Sequence, residues 1–151
     1  MTLRFNYRGY VLPHPSAALG GRSSVARPLI SVAILGPGGS QLIDGLIDSG
    51  SDGILIPESV AANVAIDLTT ATSASIRGIG GANVTARFVN VTLRIADNYE
   101  QREWSAFVGF VPTSSRNAIL GHAGFLQYFT TILHGDLERL ELTINALYPG
   151  T

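Results

Sequence analysis

Residues Leu46-Ile47-Asp48-Ser49-Gly50-Ser51-Asp52-Gly53 run two aliphatic side chains straight into an acid and then into a glycine-rich turn. Such a run describes a buried strand that ends by presenting its next side chain outside the core. Hydrolysis by an aspartate needs a carboxylate held rigidly at a strand end and a hydroxyl behind it to fix the loop. It also needs a glycine where a Cβ would clash, and Asp48, Ser49 and Gly50 supply all three. The same triplet also serves as an ordinary turn, so alone it decides nothing. Two further segments bear on the choice. Arg77-Gly78-Ile79-Gly80-Gly81 places three glycines around one isoleucine between β-type flanks. It reads either as a mobile hairpin that closes over an extended peptide or as a plain glycine hairpin. Ala118-Ile119-Leu120-Gly121-His122 is an apolar pair running into glycine, which by itself describes a buried strand with a bend.

Other chemistries for the acidic loop fail on residue type. A calcium loop needs an oxygen ligand at its third position and Glu at its twelfth, where this chain has Gly50 and Ser59. A phosphoryl-accepting aspartate needs a second acid two residues on, and Gly50 stands there. The chain has no cysteine, and His14, His122 and His134 are scattered, so neither thiol chemistry nor a zinc pair is available and no metal or cofactor is expected. Lys plus Arg number 10 against 11 for Asp plus Glu, which leaves no electrostatic footprint for nucleic acid or an anionic membrane. The N-terminus lacks the apolar stretch of an export signal, and no run approaches the ~18 apolar residues of a membrane span. The expectation is a soluble, cytoplasmic protein. Asn83-Val84-Thr85 and Asn90-Val91-Thr92 therefore read as strand residues rather than glycosylation sites.

The elements that must position these residues are mostly strands. At 151 residues the chain fits one domain. Strands are predicted over Leu29–Leu35, Gln41–Ile47, Ser73–Ile79, Asn83–Ile95 and Trp104–Val111, and Leu137–Leu147 alternates leucine with charge as a final strand. Pro57–Ala65 opens with proline and an acid, a favourable helix start, and Gly121–Phe129 reads as a short apolar helix or turn. Residues 13–28, rich in Pro, Gly, Ser and Ala, read as a linker or loosely packed arm.

Taken together, in this order and at these spacings, the three segments resemble the retroviral-type aspartic proteases, the retropepsins. The likeness extends upstream through Arg27-Pro28-Leu29-Ile30 and covers about residues 27–130. The resemblance implies a mostly β fold with a closed, barrel-like sheet, one or two short helices and a flap hairpin. The helix after the catalytic loop is closer in style to retropepsin-like domains of cellular and bacterial proteins. Residues 27–151 would form the protease domain, and residues 1–26 an N-terminal arm or a pro-segment removed by self-cleavage.

The resemblance also implies roles. One triplet per chain means a homodimeric endopeptidase in which each subunit gives one Asp48 to a water-activating dyad, the two carboxylates sharing one proton. Ser49 would lock the paired loops, with Gly50 against the substrate backbone. Asp52 would bind substrate main chain and anchor the dimer, paired with Arg27 across the interface and with His122 inside the subunit. A histidine capping the Gly121 helix is the alternative for His122. Gly78, Ile79, Gly80 and Gly81 would form the flap, and Ile119 and Leu120 would line or support apolar subsites. The partners implied are a second copy and a peptide or protein substrate cut between mainly hydrophobic residues. The alternative is a non-catalytic module of the same fold that dimerises or binds peptide.

Overall fold

The computed structural model describes residues 1–151. β1 (Thr2–Asn6) opens the chain, followed by a hairpin of β2 (Arg8–Ser16) and β3 (Arg22–Arg27). β4 (Leu29–Gly36) and β5 (Gly39–Ile47) pair antiparallel in unbroken register from Leu29↔Leu46 to Gly36↔Gly39. β6 (Ile54–Pro57) leads into α1 (Glu58–Asn63), the single α-helix. β7 (Thr72–Arg77), β8 (Asn83–Ala96) and β9 (Gln101–Val111) form a meander. β10 (Asn117–Leu120), β11 (Phe129–His134) and β12 (Arg139–Ile144) complete the order.

The main sheet runs β4-β5-β10-β6-β9-β8-β7, and β4 also pairs with β8 from Ala33↔Arg94 to Leu35↔Thr92. That second pairing closes six of the seven strands into a barrel and leaves β7 hanging on the outside of β8. Closure removes the exposed edges an open sheet would present. Alternation explains what fills it. Trp104, Ala106, Val108 and Phe110 of β9 point inward with Val32 and Ile34 of β4, all buried, and no polar or charged residue is buried with them. No helix is long and apolar enough to cross a membrane.

A smaller sheet, β1-β12-β11, packs against this barrel. Leu3, Leu140 and Leu142 are fully buried on its inner face. An aromatic group joins the two sheets: Trp104 meets Phe129 edge-on at 5.3 Å, and Tyr148 lies 5.5 Å from Phe129. The indole N–H of Trp104 donates to the Gly124 carbonyl at 2.8 Å.

The five strands predicted between residues 29 and 111 are present, with no end displaced by more than three residues, and both sequons lie in β8. Three other expectations change, and a fourth is decided between its two alternatives. Pro57 is the last residue of β6, paired with Val111, because its ψ of 132° keeps it extended; the helix starts one residue later. Gly121–Phe129, read as a short helix or turn, is the turn of the two: a series of turns runs up to Tyr128. Gly124 sits at φ 91° there and Ala123 bridges to Gly53, which together prevent a helical ladder. Residues 13–28, expected as linker or loose arm, largely belong to the β2–β3 hairpin, reversed through Gly20 and Gly21. The final strand, predicted over Leu137–Leu147, is the shorter β12. It is the central strand of its sheet, with both edges already paired to β1 and β11.

The free edge of β1 is tied down. The Arg4 N–H donates to Asp97 at 3.0 Å, and the same carboxylate accepts from the N–H groups of Tyr99 (2.8 Å) and Glu100 (2.9 Å). Burial raises the Asp97 pKa, but these three donors and the Arg4 charge outweigh it and hold the carboxyl below the usual range. A carboxylate depressed on folding stabilises above its unfolded value near ~3.9 and loses that contribution as pH falls through the folded value. The melting temperatures of wild type and Asp97→Ala are therefore expected to converge as pH is lowered from about 6 to about 3. Leu3→Ala should cost about 2–5 kcal/mol in urea denaturation, because β1 supplies core rather than decoration.

Candidate active site

Period-two alternation along β5 explains where Asp48 points. Ile43, Gly45 and Ile47 are buried in the barrel, so Leu46 and then Asp48 face the other way. The acid stands at the end of the strand, half-buried, and its Oδ1 accepts the Gly50 N–H at 2.9 Å. That bond has the geometry of a turn, so the two readings of the triplet are compatible: the turn holds the carboxylate.

What fixes the loop is β10. It is inserted between β5, to which it runs parallel (Leu120↔Ile47), and β6, to which it runs antiparallel (Leu120↔Ile54). It thus lies between the two strands that enter and leave the acidic loop. The Asp48 N–H donates to the Leu120 carbonyl (3.1 Å), Gly121 N–H to Gly53 (3.2 Å), His122 N–H to Ser51 (2.9 Å) and Ala123 N–H to Asp52 (2.8 Å). The Ser51 hydroxyl closes the loop on the Gly53 carbonyl at 2.9 Å. Gly121 makes this approach possible. A Cβ there would lie 2.3 Å from the Gly53 oxygen and 2.4 Å from the Ser51 oxygen, both backbone atoms that cannot swing away.

Asp48 lines a cleft of about 910 Å³ with Gly50, Asp52, Leu55, Ile119 and the β7–β8 hairpin as far as Ile79. Ile79 is fully exposed at the hairpin tip, where Gly80 and Gly81 take positive φ (97° and 79°) to make the turn; neither of those two lines the cleft. Ser49 and Gly50 are exposed at the loop tip. Among the residues singled out from sequence, Asp48, Gly50, Asp52, Gly78, Ile79 and Ile119 therefore converge on one space. Leu120 does not. It is fully buried and packs against Gly45, because it has the opposite parity to Ile119.

Arg27 forms no ion pair with Asp52 within the chain. It hydrogen-bonds the Tyr10 hydroxyl and stacks over that ring at 4.8 Å. His122 is exposed and forms no ion pair with Asp52, so the expected contact inside the subunit is absent. It caps no helix either, since turns follow it. Sequence reasoning missed Leu55, Phe88, Phe107, Gln127 and Tyr128, all of which line the cleft. Phe107 carried a signal. It is an aromatic at the outward parity of a strand whose neighbours Ala106 and Val108 point inward.

A family model described as aspartyl protease matches residues 30–122, more than half of the chain, from β4 through the acidic loop to His122. The chain belongs to the aspartyl protease family. The match takes in Asp48, the β7–β8 hairpin and the crossing strand β10. Solved structures similar to this aspartyl protease family member include a retropepsin-like aspartic protease from Rickettsia conorii (14% identity, TM-score 0.49, covering 94% of this chain and 92% of that one). Another is the EIAV protease complexed with the inhibitor HBY-793 (21% identity, TM-score 0.40, covering 63% and 81%). No curated protein matches significantly in sequence.

The geometry yields a direct test of the crossing. Gly121→Ala should destabilise the fold by about 1–3 kcal/mol through overpacking. Hydrogen exchange should show the amides of Asp48, Gly121, His122 and Ala123 losing protection ahead of the rest of the barrel.

Proposed function

We propose that this chain is an aspartic endopeptidase that works as a homodimer, each subunit contributing Asp48 to one catalytic pair. The observation that carries the reading is an incomplete site: the cleft holds Asp48 and Asp52, but the chain has a single Asp-Ser-Gly triplet, so each subunit brings only one carboxylate of the catalytic kind. The exposed Ser49–Gly50 tip supports it, because a loop meant to meet its own copy on a two-fold axis leaves that tip uncovered. The family match supports peptide-bond hydrolysis as the reaction.

The chemistry follows from two carboxylates a few ångströms apart. They cannot both ionise readily, so the pair holds one proton, and its titration belongs to both members. The ionised member takes a proton from a water held between them, and the resulting nucleophile attacks the scissile carbonyl carbon. The protonated member donates to the carbonyl oxygen, forming a neutral diol. As the diol collapses and the C–N bond breaks, the protonated member gives its proton to the departing amine and a diol hydroxyl gives its proton to the ionised member, so the pair again holds one proton. Gly50 offers its carbonyl to the substrate backbone. Ile79 acts as the finger of a flap that closes over the peptide and excludes water, its motion allowed by Gly78, Gly80 and Gly81. Asp52 holds substrate main chain and, with Arg27 of the other subunit, anchors the dimer.

The test is digestion of a mixed peptide library between pH 4 and 7, with wild type beside Asp48→Asn and with pepstatin, on protein whose mass in solution has been measured. Cutting between apolar residues is expected, reduced by at least about a thousandfold in the mutant, with a bell-shaped pH profile from the coupled pair. A dimer that binds peptides and cuts none would replace this reading with that of a binding module.

A further inference from the structure

The cleft contains a surface that the carboxylate chemistry does not use. Ile119, Leu55, Gly109 and Phe88 are register partners on the successive strands β10, β6, β9 and β8, so they share one face of the sheet. That is the face Leu46 shares, being the partner of Ile119 on β5. By strand parity Asp48 continues it. The row therefore runs from the acidic loop across the floor of the cleft.

Gly109 is the gap in the row. A Cβ there would lie 2.8 Å from Cζ of Phe88 and 3.0 Å from Cδ2 of Leu55. The Phe88 ring occupies the space a side chain would need and rests directly on β9. Phe107, two residues earlier on the same face, stacks on it with centroids 5.5 Å apart and planes 29° from parallel. Phe107 remains 51% exposed, although Ala106 and Val108 on either side of it are buried. A strand that turns an aromatic outward usually covers it; here the uncovered ring faces the cleft that holds Asp48.

We propose that Phe88 and Phe107 form an aromatic shelf that selects substrates carrying a phenylalanine, tyrosine or tryptophan side chain at one fixed position near the scissile bond. This rests on the peptidase reading above and narrows it from apolar residues in general to a flat ring. The physical reason is shape. The two rings, nearly parallel and seated on a glycine, present a planar surface, and offset stacking rewards a planar partner over a branched aliphatic one. An extended peptide lying along the cleft shows every second side chain to this floor, so the preference should appear at a single position.

The experiment compares paired peptides that differ only in Phe or Leu at each position around the cut. Wild type is expected to favour the aromatic peptide in kcat/KM at one position by about tenfold, mostly through KM, since a pocket contact of this kind discriminates on that scale. Phe107→Leu keeps apolar volume but removes the ring. It should bring the Phe/Leu ratio at that position close to one and leave the ratios at the other positions as they were. Enrichment of aliphatic or basic residues opposite the shelf, or a Phe/Leu ratio untouched by Phe107→Leu, would overturn the proposal. Fluorescence anisotropy of the same labelled peptides on Asp48→Asn separates this idea from the catalytic one. If wild type cuts nothing but the aromatic peptide binds Asp48→Asn about tenfold more tightly, the shelf stands and the peptidase reading falls. Equal binding of the two peptides would sink the shelf whatever the enzyme does.

Discussion

The crossing of β10 between β5 and β6 is the constraint on which the rest of this protein depends. A strand inserted between the two arms of a loop gives that loop hydrogen-bond partners that its own strands cannot supply. Here Leu120, Gly53, Ser51 and Asp52 give carbonyls, and Asp48, Gly121, His122 and Ala123 give N–H groups. The acidic loop is therefore held by backbone on both sides instead of by flexible side chains. The arrangement requires two backbones to touch where any side chain would intrude, and Gly121 is the residue that permits it. Precision at a reacting carboxylate comes from this kind of support, because a loop held only at its ends explores several geometries.

The barrel serves the same end at longer range. Closure through β4 and β8 leaves β7 as the one free edge of the main sheet, and the inward parity of Ile43, Gly45 and Ile47 forces Asp48 outward. The parity that fills the core thus also orients the acid. β9 does this twice over. Its inward residues build the aromatic group that joins the small sheet to the barrel, and its outward residues Phe107 and Gly109 shape the cleft.

The N-terminal residues divide into two physically different parts. β1 is core, since Leu3 is fully buried and the strand is pinned by β12 on one edge and Asp97 on the other. The β2–β3 hairpin is a two-stranded unit joined to no other sheet, tied at its base by the Arg8–Asp44 ion pair at 2.6 Å. Two strands alone are marginal in water, and an exposed ion pair adds little. A pro-segment comprising residues 1–26 would therefore take with it a strand that the small sheet is built on.

Much of this was legible in the residue order. Alternation located the barrel strands because a half-buried strand must alternate, and the run of aliphatic residues into Asp48-Ser49-Gly50 marked an acid thrust out of a core. The three glycine-bearing segments and their order carried the family. Other features were out of reach because they depend on partners distant in the chain. Whether Gly121–Phe129 coils or turns was settled by Gly53, some seventy residues earlier, which takes Ala123 as a bridge partner. That β12 has no free edge follows from its pairing with β1, from Thr2↔Thr143 to Asn6↔Arg139, at the far end of the chain, which its own alternation does not reveal. Leu120 and Ile119 looked alike as an apolar pair, and only register with β5 and β6 sends one to the core and the other to the cleft. Sequence by itself determined the chemistry on offer, since residue types and local period are local properties. Tertiary structure alone decided which side chains share a space, because that is a property of strand register between segments far apart in the chain.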